Sequence, residues 1–474
     1  MKKHLYINGQ WKEANEYAPL YSPYSGELLA EIAQADEADV DEAIRAAAAA
    51  AKKMAKLPAS QRALILEKAV AIMEARKEEL AVILAQEAAK PLRTGRVEVA
   101  RTIQTYKFAA EEAKRIHGET VPLDAAPGGE GRLAFTVRKP IGVVGAITPF
   151  NFPFNLVAHK VGPAIAAGNT VVLKPASQTP LSSLVLADIF AEAGLPEGAL
   201  NILPGKGAVV GEKLVSDSRI AAITFTGSPA VGIAMKNKAG LKRVTLELGS
   251  NSAVIIDQTV EITQALVDRC VVGAFSFSGQ VCISLQRVYI HQSKYEEFLD
   301  KFKTATEKLV LGDPLQEATD MSSVISAKDH ERMGAWVQEA VQAGAQVVTG
   351  GKAVSERLFA PTILTNVSAH SSVSCQEVFG PIVVVTPFEA IGEAIEAVND
   401  SRFGLQAGIY TSDIHAAMRA AEELEVGGVM INDIPTFRVD NMPYGGVKDS
   451  GFGREGIKYA VEEMTELKLI AIKL

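Results

Sequence analysis

Cysteine is scarce in this chain of 474 residues, which contains only Cys270, Cys282 and Cys375. The three thiols are far apart and odd in number, which excludes a disulfide framework, and their spacing matches no zinc site. Because unpaired thiols are typical of reducing compartments, we expect a cytoplasmic protein without a metal centre.

Positive charge and long apolar runs are also lacking. The chain has 48 Lys and Arg against 56 Asp and Glu, a formal net charge of -8, which argues against a nucleic-acid partner. No stretch is as long and apolar as a membrane span, and the basic start at Met1–Gly9 lacks the apolar segment of a signal peptide. With 48% hydrophobic and 22% charged residues, the composition is that of a soluble globular protein.

The length predicts two or three domains, and the hydrophobic pattern predicts their class. Glu37–Arg115 has apolar residues at helical spacing, so we expect two or three long helices broken at Pro58 and Pro91. From Ile141 onward, short apolar runs alternate with helical segments, and a second alternating region starts near Ala253. This alternation indicates an α/β protein with doubly wound parallel sheets. The predicted strands of the first region are Ile141–Ile147, Thr170–Lys174, Leu200–Leu203, Ala221–Phe225 and Val244–Leu248, and its helices are Pro153–Ala167, Pro180–Ala193, Ala208–Ser216 and Pro229–Lys238.

Two further segments read as strands outside these sheets. The glycine-rich stretch Pro127–Gly131 predicts a turn between strands near His117–Leu123 and Leu133–Lys139. The end of the chain, Glu466–Ile472, is strand-like. It could pair with the predicted hairpin or with another subunit.

The pairing of Cys282 with Glu247 carries most of the chemical information. Cys282 ends Ser278-Gly279-Gln280-Val281-Cys282, where small neighbours leave a thiol approachable, and Glu247 is a lone carboxylate in an apolar run. Together they suggest covalent catalysis with a separate proton-transfer step. Taken in isolation, the same residues also fit a buried structural cysteine and a surface glutamate.

Several segments after predicted strands could contact a cofactor or a reacting oxygen. Gly205-Lys206-Gly207 and Phe225-Thr226-Gly227-Ser228-Pro229 each precede a helix, as phosphate-binding loops do, although neither has the G-x-G-x-x-G fingerprint. Lys174 could hold a ribose or phosphate oxygen, or be a solvated lysine at a strand end. Asn151 could donate to an oxyanion, or merely cap a helix. Glu377 alone fits a surface turn.

Taken together, these segments resemble the aldehyde dehydrogenase superfamily in order and spacing across essentially the whole chain. The resemblance rests on Pro149–Pro153, Lys174–Ala176, Phe225–Ser228, Glu247–Gly249, Gly279–Cys282, Glu377–Pro381, Asn399 with Gly404-Leu405, and Pro443–Gly453. It implies an NAD(P)-binding Rossmann-like domain (1–118 and 140–249), a catalytic domain (250–455) and a small β arm for oligomerisation (119–139 and 460–474). A homodimer or homotetramer would follow.

The resemblance also implies roles for individual residues. Cys282 would attack the aldehyde, Asn151 would stabilise the oxyanion, and Glu247 would activate the water that releases the acid. The residues expected to contact NAD or NADP are Ile147, Thr148, Pro149, Phe150, Lys174, Ser177, Gly207, Phe225, Thr226, Gly227, Ser228, Glu377 and Phe379. Those expected to line the substrate tunnel are Phe152, Leu156, His159, Val281, Ile283, Arg438 and Tyr444.

Three departures from the common pattern bear on specificity. The family often has an acidic residue at the position of Ser177, and serine removes its repulsion of a 2′-phosphate, so we expect NADP to be tolerated without excluding NAD. His159 and Arg438 replace tunnel aromatics, and an arginine fork suits a carboxylate, phosphate or sulfonate tail. We therefore expect a small polar or anionic aldehyde. Alternatively, Arg438 pairs with Asp440 or a glutamate at the surface and never meets substrate.

Three other functions compete with this one. A broad-specificity enzyme for neutral aldehydes would share the same catalytic residues. An acylating enzyme would pass the acyl group to coenzyme A, but such enzymes generally dispense with the glutamate present here as Glu247. A catalytically silent homologue is opposed by the presence of Cys282, Glu247 and Asn151 together.

Overall fold

The computed structural model describes residues 1–474. In its first half the strands are β1 (Lys2–Lys3), β2 (Leu5–Ile7), β3 (Gln10–Lys12), β4 (Glu16–Tyr21), β5 (Leu28–Gln34), β6 (Arg132–Pro140), β7 (Val143–Ile147), β8 (Thr170–Lys174), β9 (Leu200–Ile202), β10 (Ile220–Thr226) and β11 (Arg243–Glu247). The helices there are α1 (Glu37–Lys56), α2 (Ala59–Ala75), α3 (Lys77–Ala88), α4 (Leu92–Ala113), α5 (Asn155–Ala167), α6 (Pro180–Glu192), α7 (Glu212–Ser216) and α8 (Pro229–Lys238).

The second half has a similar alternation. Its strands are β12 (Ala253–Ile256), β13 (Arg287–His291), β14 (Gln346–Thr349), β15 (Thr362–Thr365), β16 (Ile382–Phe388), β17 (Phe403–Gly404), β18 (Gln406–Tyr410), β19 (Gly428–Ile431), β20 (Val447–Lys448), β21 (Gly451–Phe452) and β22 (Thr465–Lys473). Its helices are α9 (Gln264–Phe275), α10 (Tyr295–Thr306), α11 (Ala327–Gln342), α12 (Ser372–Cys375), α13 (Ile391–Asn399), α14 (Ile414–Glu423) and α15 (Ile457–Glu463).

Two large sheets organise the molecule, as the alternating pattern predicts. The first has the order β21-β11-β10-β7-β8-β9-β2-β3, and its strands β7 to β11 run parallel. Along β7, Val144 and Ala146 pack on one face while Val143 and Ile147 pack on the other. Because helices cover both faces, the strands are apolar along most of their length, which is why they appear as nearly continuous runs in the sequence.

The second sheet is also mainly parallel and packed on both faces. Its order is β14-β15-β16-β13-β12-β18-β19, and every neighbouring pair except β14–β15 is parallel. Val254 and Ile256 of β12 pack on one face, and Ala253 and Ile255 on the other. No helix of the protein combines the length and the apolar character needed to cross a membrane.

The predicted hairpin around Pro127–Gly131 is confirmed only in part: Leu133–Lys139 lies in β6, but His117–Leu123 forms no strand. Its first half forms only an isolated bridge, between Thr120 and Phe135, and a short 3-10 turn at Leu123–Ala125. The long partner of β6 is the chain end, since β6 and β22 pair antiparallel over nine residues, from Arg132 with Lys473 to Pro140 with Thr465. Of the two alternatives for the C-terminal strand, pairing within the chain is the observed one.

The N-terminal helices break where proline predicts and at one additional place. Pro58 and Pro91 immediately precede α2 and α4, as the missing N–H of proline favours. The additional break is at Arg76, which leaves the helical region with φ -109° and ψ 13° and separates α2 from α3. Four helices therefore stand where two or three were expected, because neither proline nor glycine marks this third break.

Candidate active site

The carboxyl edge of the first sheet collects most of the residues expected to bind a cofactor. Successive strands β8 and β9 lie on one side of β7, and β10 and β11 lie on the other, so a topological switch occurs beside β7. Ile147 is in register with Lys174 and with Phe225, and Thr226 is in register with Glu247. Open parallel sheets bind ligands in the crevice at such a switch.

The amino edge of the second sheet meets this crevice. Cys282 precedes β13 and Glu377 precedes β16, and these strands are parallel neighbours, so their preceding loops share one edge. Side chains join the two edges directly. Ser250 donates its backbone N–H to Glu377 Oε1 at 2.9 Å, and the Phe150 and Phe379 rings meet edge to face with centroids 5.7 Å apart.

Cys282 lies in an apolar cluster with one polar neighbour for its sulfur. Val281, Ile283, Phe277 and Tyr444 are buried around it. Its Sγ is 3.0 Å from the Tyr444 Oη. Burial raises the pKa of the Cys282 thiol to about 11, although the Tyr444 hydrogen bond and the charge of Arg438 act to lower it. A thiol in this setting needs help to ionise at neutral pH.

Glu247 is a buried carboxylate without a hydrogen-bond partner. It is the last residue of β11, only 3% exposed, and neither of its oxygens accepts a hydrogen bond. A Cβ on residue 445 would lie 3.0 Å from Glu247 Oε1, so a side chain there would crowd the carboxylate. Glycine at position 445 leaves the space beside this oxygen open. Burial, and then the negative charge of Glu455, raises the pKa of Glu247 well above its ordinary value. An unpaired carboxyl of this kind is poised to take a proton.

Asn151 approaches the cysteine loop from the first sheet. Its Nδ2 donates to the Gln280 carbonyl at 2.9 Å, two residues before Cys282. Its own backbone carbonyl accepts a 2.6 Å hydrogen bond from Nζ of Lys90. The backbone of Asn151 is therefore held by Lys90, and its carboxamide reaches the loop that ends at Cys282.

A buried ion pair holds the loop that carries Asn151. Lys90 and Glu98 have fully buried side chains and form an ion pair. The Lys90 ammonium also lies 3.9 Å from the centroid of Phe152, and Glu98 Oε1 accepts the backbone N–H groups of Phe154 at 3.0 Å and Asn155 at 3.2 Å. The Glu98 carboxylate and the Phe152 ring offset the free-energy cost of removing the Lys90 ammonium from water. The same carboxylate accepts hydrogen bonds from backbone N–H groups at the start of α5, which have no partner within the helix.

Replacement of Asn151 by alanine is expected to lower kcat about 10²- to 10³-fold, because one oxyanion donor contributes about 3 kcal/mol. Rapid-mixing measurement of the first turnover checks this, since the loss should appear in hydride transfer. The control is Asn201→Ala, which removes a buried amide bonded to Gly198 O, outside this site. It should lower Tm and leave kcat nearly unchanged. Equal kcat values for Asn151→Ala and wild type would exclude the oxyanion role.

Charged side chains next to the apolar cluster form a continuous network that is buried except at Arg101, whose side chain is 26% exposed. His159 on α5 approaches Asp440 Oδ1 at 2.9 Å, and Asp440 also pairs with Arg101 at 2.7 Å. Burial, and then the charge of Arg438, lowers the pKa of His159. The pKa of Asp440 is lowered because His159 and Arg101 outweigh the effect of its burial.

Arg438 joins this network in the interior. Its Nη2 is 3.1 Å from Glu455 Oε2 and 3.2 Å from His159 Nε2, and its guanidinium lies 3.6 Å from the centroid of the Tyr444 ring. The side chain is 5% exposed. Arg438 thus pairs with a glutamate, but in the interior rather than at the surface, and Asp440 has other partners. Lys160 completes the network by binding Glu455 Oε1 and Thr226 Oγ1, both at 2.7 Å.

The residues at the sheet edge fit a dinucleotide. Lys174 is a buried ammonium that donates to the Pro175 carbonyl at 3.1 Å, and burial lowers its pKa to about 8. Such a cation is satisfied by ribose or phosphate oxygens. The exposed Ser228 precedes α8 without a side-chain cap, and Ser177 and Gly207 are exposed in the turns after β8 and β9. Burial raises the pKa of Glu377 to about 7, and its carboxylate suits a hydroxyl donor.

Sequence reasoning missed five charged residues of this region, Lys90, Glu98, Arg101, Lys160 and Glu455, and considered Asp440 only as a possible partner of Arg438. One signal was available, because every residue of α5 is buried and Lys160 is the lone cation in that apolar run. A buried lysine implies a partner. The partner, Glu455, is 295 residues away in the chain, so sequence could not identify it.

Comparison with known proteins agrees with this geometry. Residues 11–470 match the model of the aldehyde dehydrogenase family. The chain is 49% identical to a 3-sulfolactaldehyde dehydrogenase of Priestia aryabhattai over 99% of this chain and 98% of that protein. Its fold is similar to the crystal structure of aldehyde dehydrogenase 21 from Physcomitrella patens in complex with the reaction product succinate (TM-score 0.97, 40% identity, 100% and 98% of the two chains). It is also similar to a glyceraldehyde-3-phosphate dehydrogenase of Methanocaldococcus jannaschii complexed with NADP (TM-score 0.93, 40% identity, 97% and 100%).

Proposed function

The chain belongs to the aldehyde dehydrogenase family of NAD(P)-dependent oxidoreductases, and from this premise we propose that it oxidises a small polar or anionic aldehyde to the carboxylate through a thioacyl enzyme. The observation that carries the proposal is the convergence of three groups. Cys282 contacts Tyr444, Glu247 approaches the adjacent Gly445, and Asn151 reaches the loop that ends at Cys282. A nucleophile, an unpaired carboxyl and an amide donor suffice for the acyl chemistry.

The first half of the reaction needs the cysteine and the oxyanion donors. Hydride leaves an aldehyde carbon readily only when that carbon carries a tetrahedral oxyanion, so the Cys282 sulfur must add first to give a thiohemiacetal. Asn151 Nδ2 and the Cys282 backbone N–H would donate to its oxygen. NAD or NADP, when bound, would supply the hydride acceptor, and the substrate carbon would remain attached to Cys282 as a thioester.

The second half needs a base. A thioester hydrolyses slowly unless water is deprotonated as it attacks. Glu247 has two oxygens free of other hydrogen bonds and lies beside the same segment as Cys282. It would take the water proton, and the thiol would leave with the release of the carboxylate product. This step separates the enzyme from acylating relatives that use coenzyme A.

The cofactor would occupy the switch crevice of the first sheet. Lys174 and Ser177 would hold the adenosine ribose, Gly227 and Ser228 the pyrophosphate, and Glu377 the nicotinamide ribose beside Phe379. Both NAD and NADP remain open, because Ser177 offers a 2′-phosphate no negative charge to repel it.

The charge of the buried network supports an anionic substrate. Arg101, Arg438 and Lys160 are three cations, and they pair with two carboxylates, Asp440 and Glu455. One positive charge is left over whenever Glu247 is protonated and His159 is neutral. A carboxylate, phosphate or sulfonate on the substrate would neutralise it. The names of three relatives agree, since they refer to sulfolactaldehyde, glyceraldehyde 3-phosphate and the product succinate, whereas other relatives are named for lactaldehyde, which is neutral.

Initial rates on paired aldehydes test the substrate class. Lactaldehyde would be compared with 3-sulfolactaldehyde, butanal with succinate semialdehyde, and glyceraldehyde with its 3-phosphate, each with NAD and with NADP. We expect the anionic member to lead about tenfold or more in kcat/KM, a difference of about 1.4 kcal/mol. Arg438→Gln should erase the lead, and Arg101→Gln is the comparison at the half-exposed end of the network.

The ratio of paired substrates makes this test insensitive to general damage. A loss of catalytic power in either variant affects both members of a pair and cancels. If neutral aldehydes do as well as anionic ones in wild type, the broad-specificity alternative replaces this proposal. If the preference for anionic aldehydes persists in Arg438→Gln and disappears in Arg101→Gln, then Arg101 rather than Arg438 binds the anionic group of the substrate.

Assembly and location complete the proposal. The ribbon of β6 and β22 carries apolar side chains exposed to solvent, namely Leu133, Leu467, Leu469 and Ile472. Exposed apolar patches of this kind mark contacts with other chains, which supports a homodimer or homotetramer. The three free thiols support a cytoplasmic enzyme.

A further inference from the structure

Tyr444 contacts the reacting sulfur, although it was expected only to line the substrate tunnel. Its hydroxyl oxygen is 3.0 Å from Cys282 Sγ, and both side chains are enclosed by apolar neighbours such as Phe277, Val281 and Ile283. Beside such apolar neighbours a hydrogen bond to an anion is strengthened, because the local dielectric is low.

The Tyr444 ring is held rigidly in this position. Its backbone pairs with that of Glu455: the Tyr444 N–H donates to the Glu455 carbonyl at 3.0 Å, and the Glu455 N–H donates back at 2.7 Å. The carboxylate of Glu455 in turn binds Lys160 and Arg438. The hydroxyl is therefore directed at Cys282 before any substrate binds.

Arg438 makes this hydroxyl a better donor. Its guanidinium lies 3.6 Å from the centroid of the Tyr444 ring. A positive charge over a phenol ring draws electron density from the oxygen and strengthens the hydrogen bond that the O–H donates. Burial raises the pKa of Tyr444 well above its ordinary value, so the phenol keeps its proton and acts as a donor.

We propose that Tyr444 is a catalytic residue whose hydroxyl donates to the Cys282 sulfur and stabilises its thiolate, with Arg438 on the ring polarising that hydroxyl. The proposal rests on the proposed function in naming Cys282 as the nucleophile. In the activation step the S–H bond breaks, the proton passes to water that reaches the partly exposed Cys282, and the electron pair stays on sulfur. Tyr444 keeps its own O–H bond throughout. The thiolate then attacks the aldehyde carbon.

Alkylation of the free enzyme by iodoacetamide tests the proposal without any aldehyde. Its rate at Cys282, followed by peptide mass spectrometry across pH, reports the fraction of thiolate. Tyr444→Phe removes only the hydroxyl and keeps the ring beneath Arg438. We expect the pH midpoint to rise by about one unit and the rate at pH 7.5 to fall about tenfold. Arg438→Gln should shift the midpoint in the same direction by less.

The matched control is Tyr289→Phe, which removes a buried hydroxyl bonded to the Ala397 carbonyl, outside this cluster. It should leave the midpoint unchanged. Coincident midpoints for Tyr444→Phe and wild type would overturn the proposal. Because alkylation needs no oxidation, a shifted midpoint in a chain that oxidises no aldehyde would leave this inference standing and defeat the proposed function. An active enzyme with an unshifted midpoint would do the reverse.

Discussion

Replacement of Cys282 by alanine is expected to abolish aldehyde oxidation, with a loss of at least about 10⁴-fold in kcat, while cofactor binding persists. The other groups of the site cannot substitute, since Glu247 and Asn151 offer a base and a donor but no nucleophile. Without a bond to sulfur the aldehyde carbon stays trigonal and has no oxyanion to expel a hydride. Fluorescence titration with NADPH checks the cofactor site, and steady-state absorbance checks turnover.

The control for this experiment is Cys375→Ala. Cys375 ends α12, and its Sγ contacts the His370 carbonyl rather than the cluster around Cys282. We expect turnover within about twofold of wild type, because substitutions away from special features change little. Turnover that survives in Cys282→Ala, or disappears in Cys375→Ala, would show that the nucleophile has been assigned to the wrong residue.

The second large effect is expected at Glu247. Glu247→Gln should keep a full-size burst of reduced cofactor and then lose steady-state turnover by about 10²- to 10⁴-fold, the usual contribution of a general base. Glutamine has the shape of glutamate and cannot take a proton from water. The thioester would therefore accumulate on Cys282, where mass spectrometry of the quenched enzyme would detect the added acyl mass.

The pH dependence of the same step follows from burial. The pKa of Glu247 lies well above its ordinary value, so at low pH the carboxyl is protonated and cannot act as a base. Steady-state turnover limited by hydrolysis should rise with pH through that raised pKa, and the rise should vanish in Glu247→Gln. Loss of the burst itself in this variant would instead indicate that Glu247 acts before hydride transfer, in activating the thiol.

The comparison of Glu247 with Glu377 sharpens the assignment. Both carboxyls are buried, and burial raises the pKa of each, but Glu377 accepts a hydrogen bond from Ser250 while Glu247 accepts none. We expect Glu377→Gln to raise the KM for the cofactor and slow hydride transfer without trapping the thioester. A trapped thioester in both variants would contradict separate roles.

Much of the fold could be predicted because its signals are local. Thr170–Lys174 and Pro229–Lys238 form a strand and a helix with the predicted bounds, since apolar strands and a proline at a helix start are recognisable in a few residues. The hairpin prediction was only partly confirmed, because the choice of a strand's partner is not a local signal. The sequence of β6 indicates a strand but not the segment with which it pairs. Its long partner, β22, lies at the far end of the chain.

The candidate site likewise has residues that local motifs could predict and contacts that they could not. Cys282, Glu247 and Asn151 were predicted as site residues from their local motifs, and the structure brings the segments that carry them together. The environment of Arg438 was not predictable. Pairing with Asp440 was a reasonable alternative because the two residues are close in the sequence. In the structure Arg438 instead contacts Tyr444 and Glu455. Asp440 binds His159 and Arg101.

Sequence by itself determined the class of the protein, because periodicity fixes parallel sheets and a set of short motifs marks the family. Tertiary structure alone decided which residues distant in the chain contact one another. Lys90 binds the carbonyl of Asn151, Lys160 binds Glu455, and Tyr444 reaches Cys282 across 162 residues. Residues far apart in the chain leave no periodic signal of their pairing. Their contacts depend on how two sheet edges pack, and packing sets the burial and charge on which the chemistry depends.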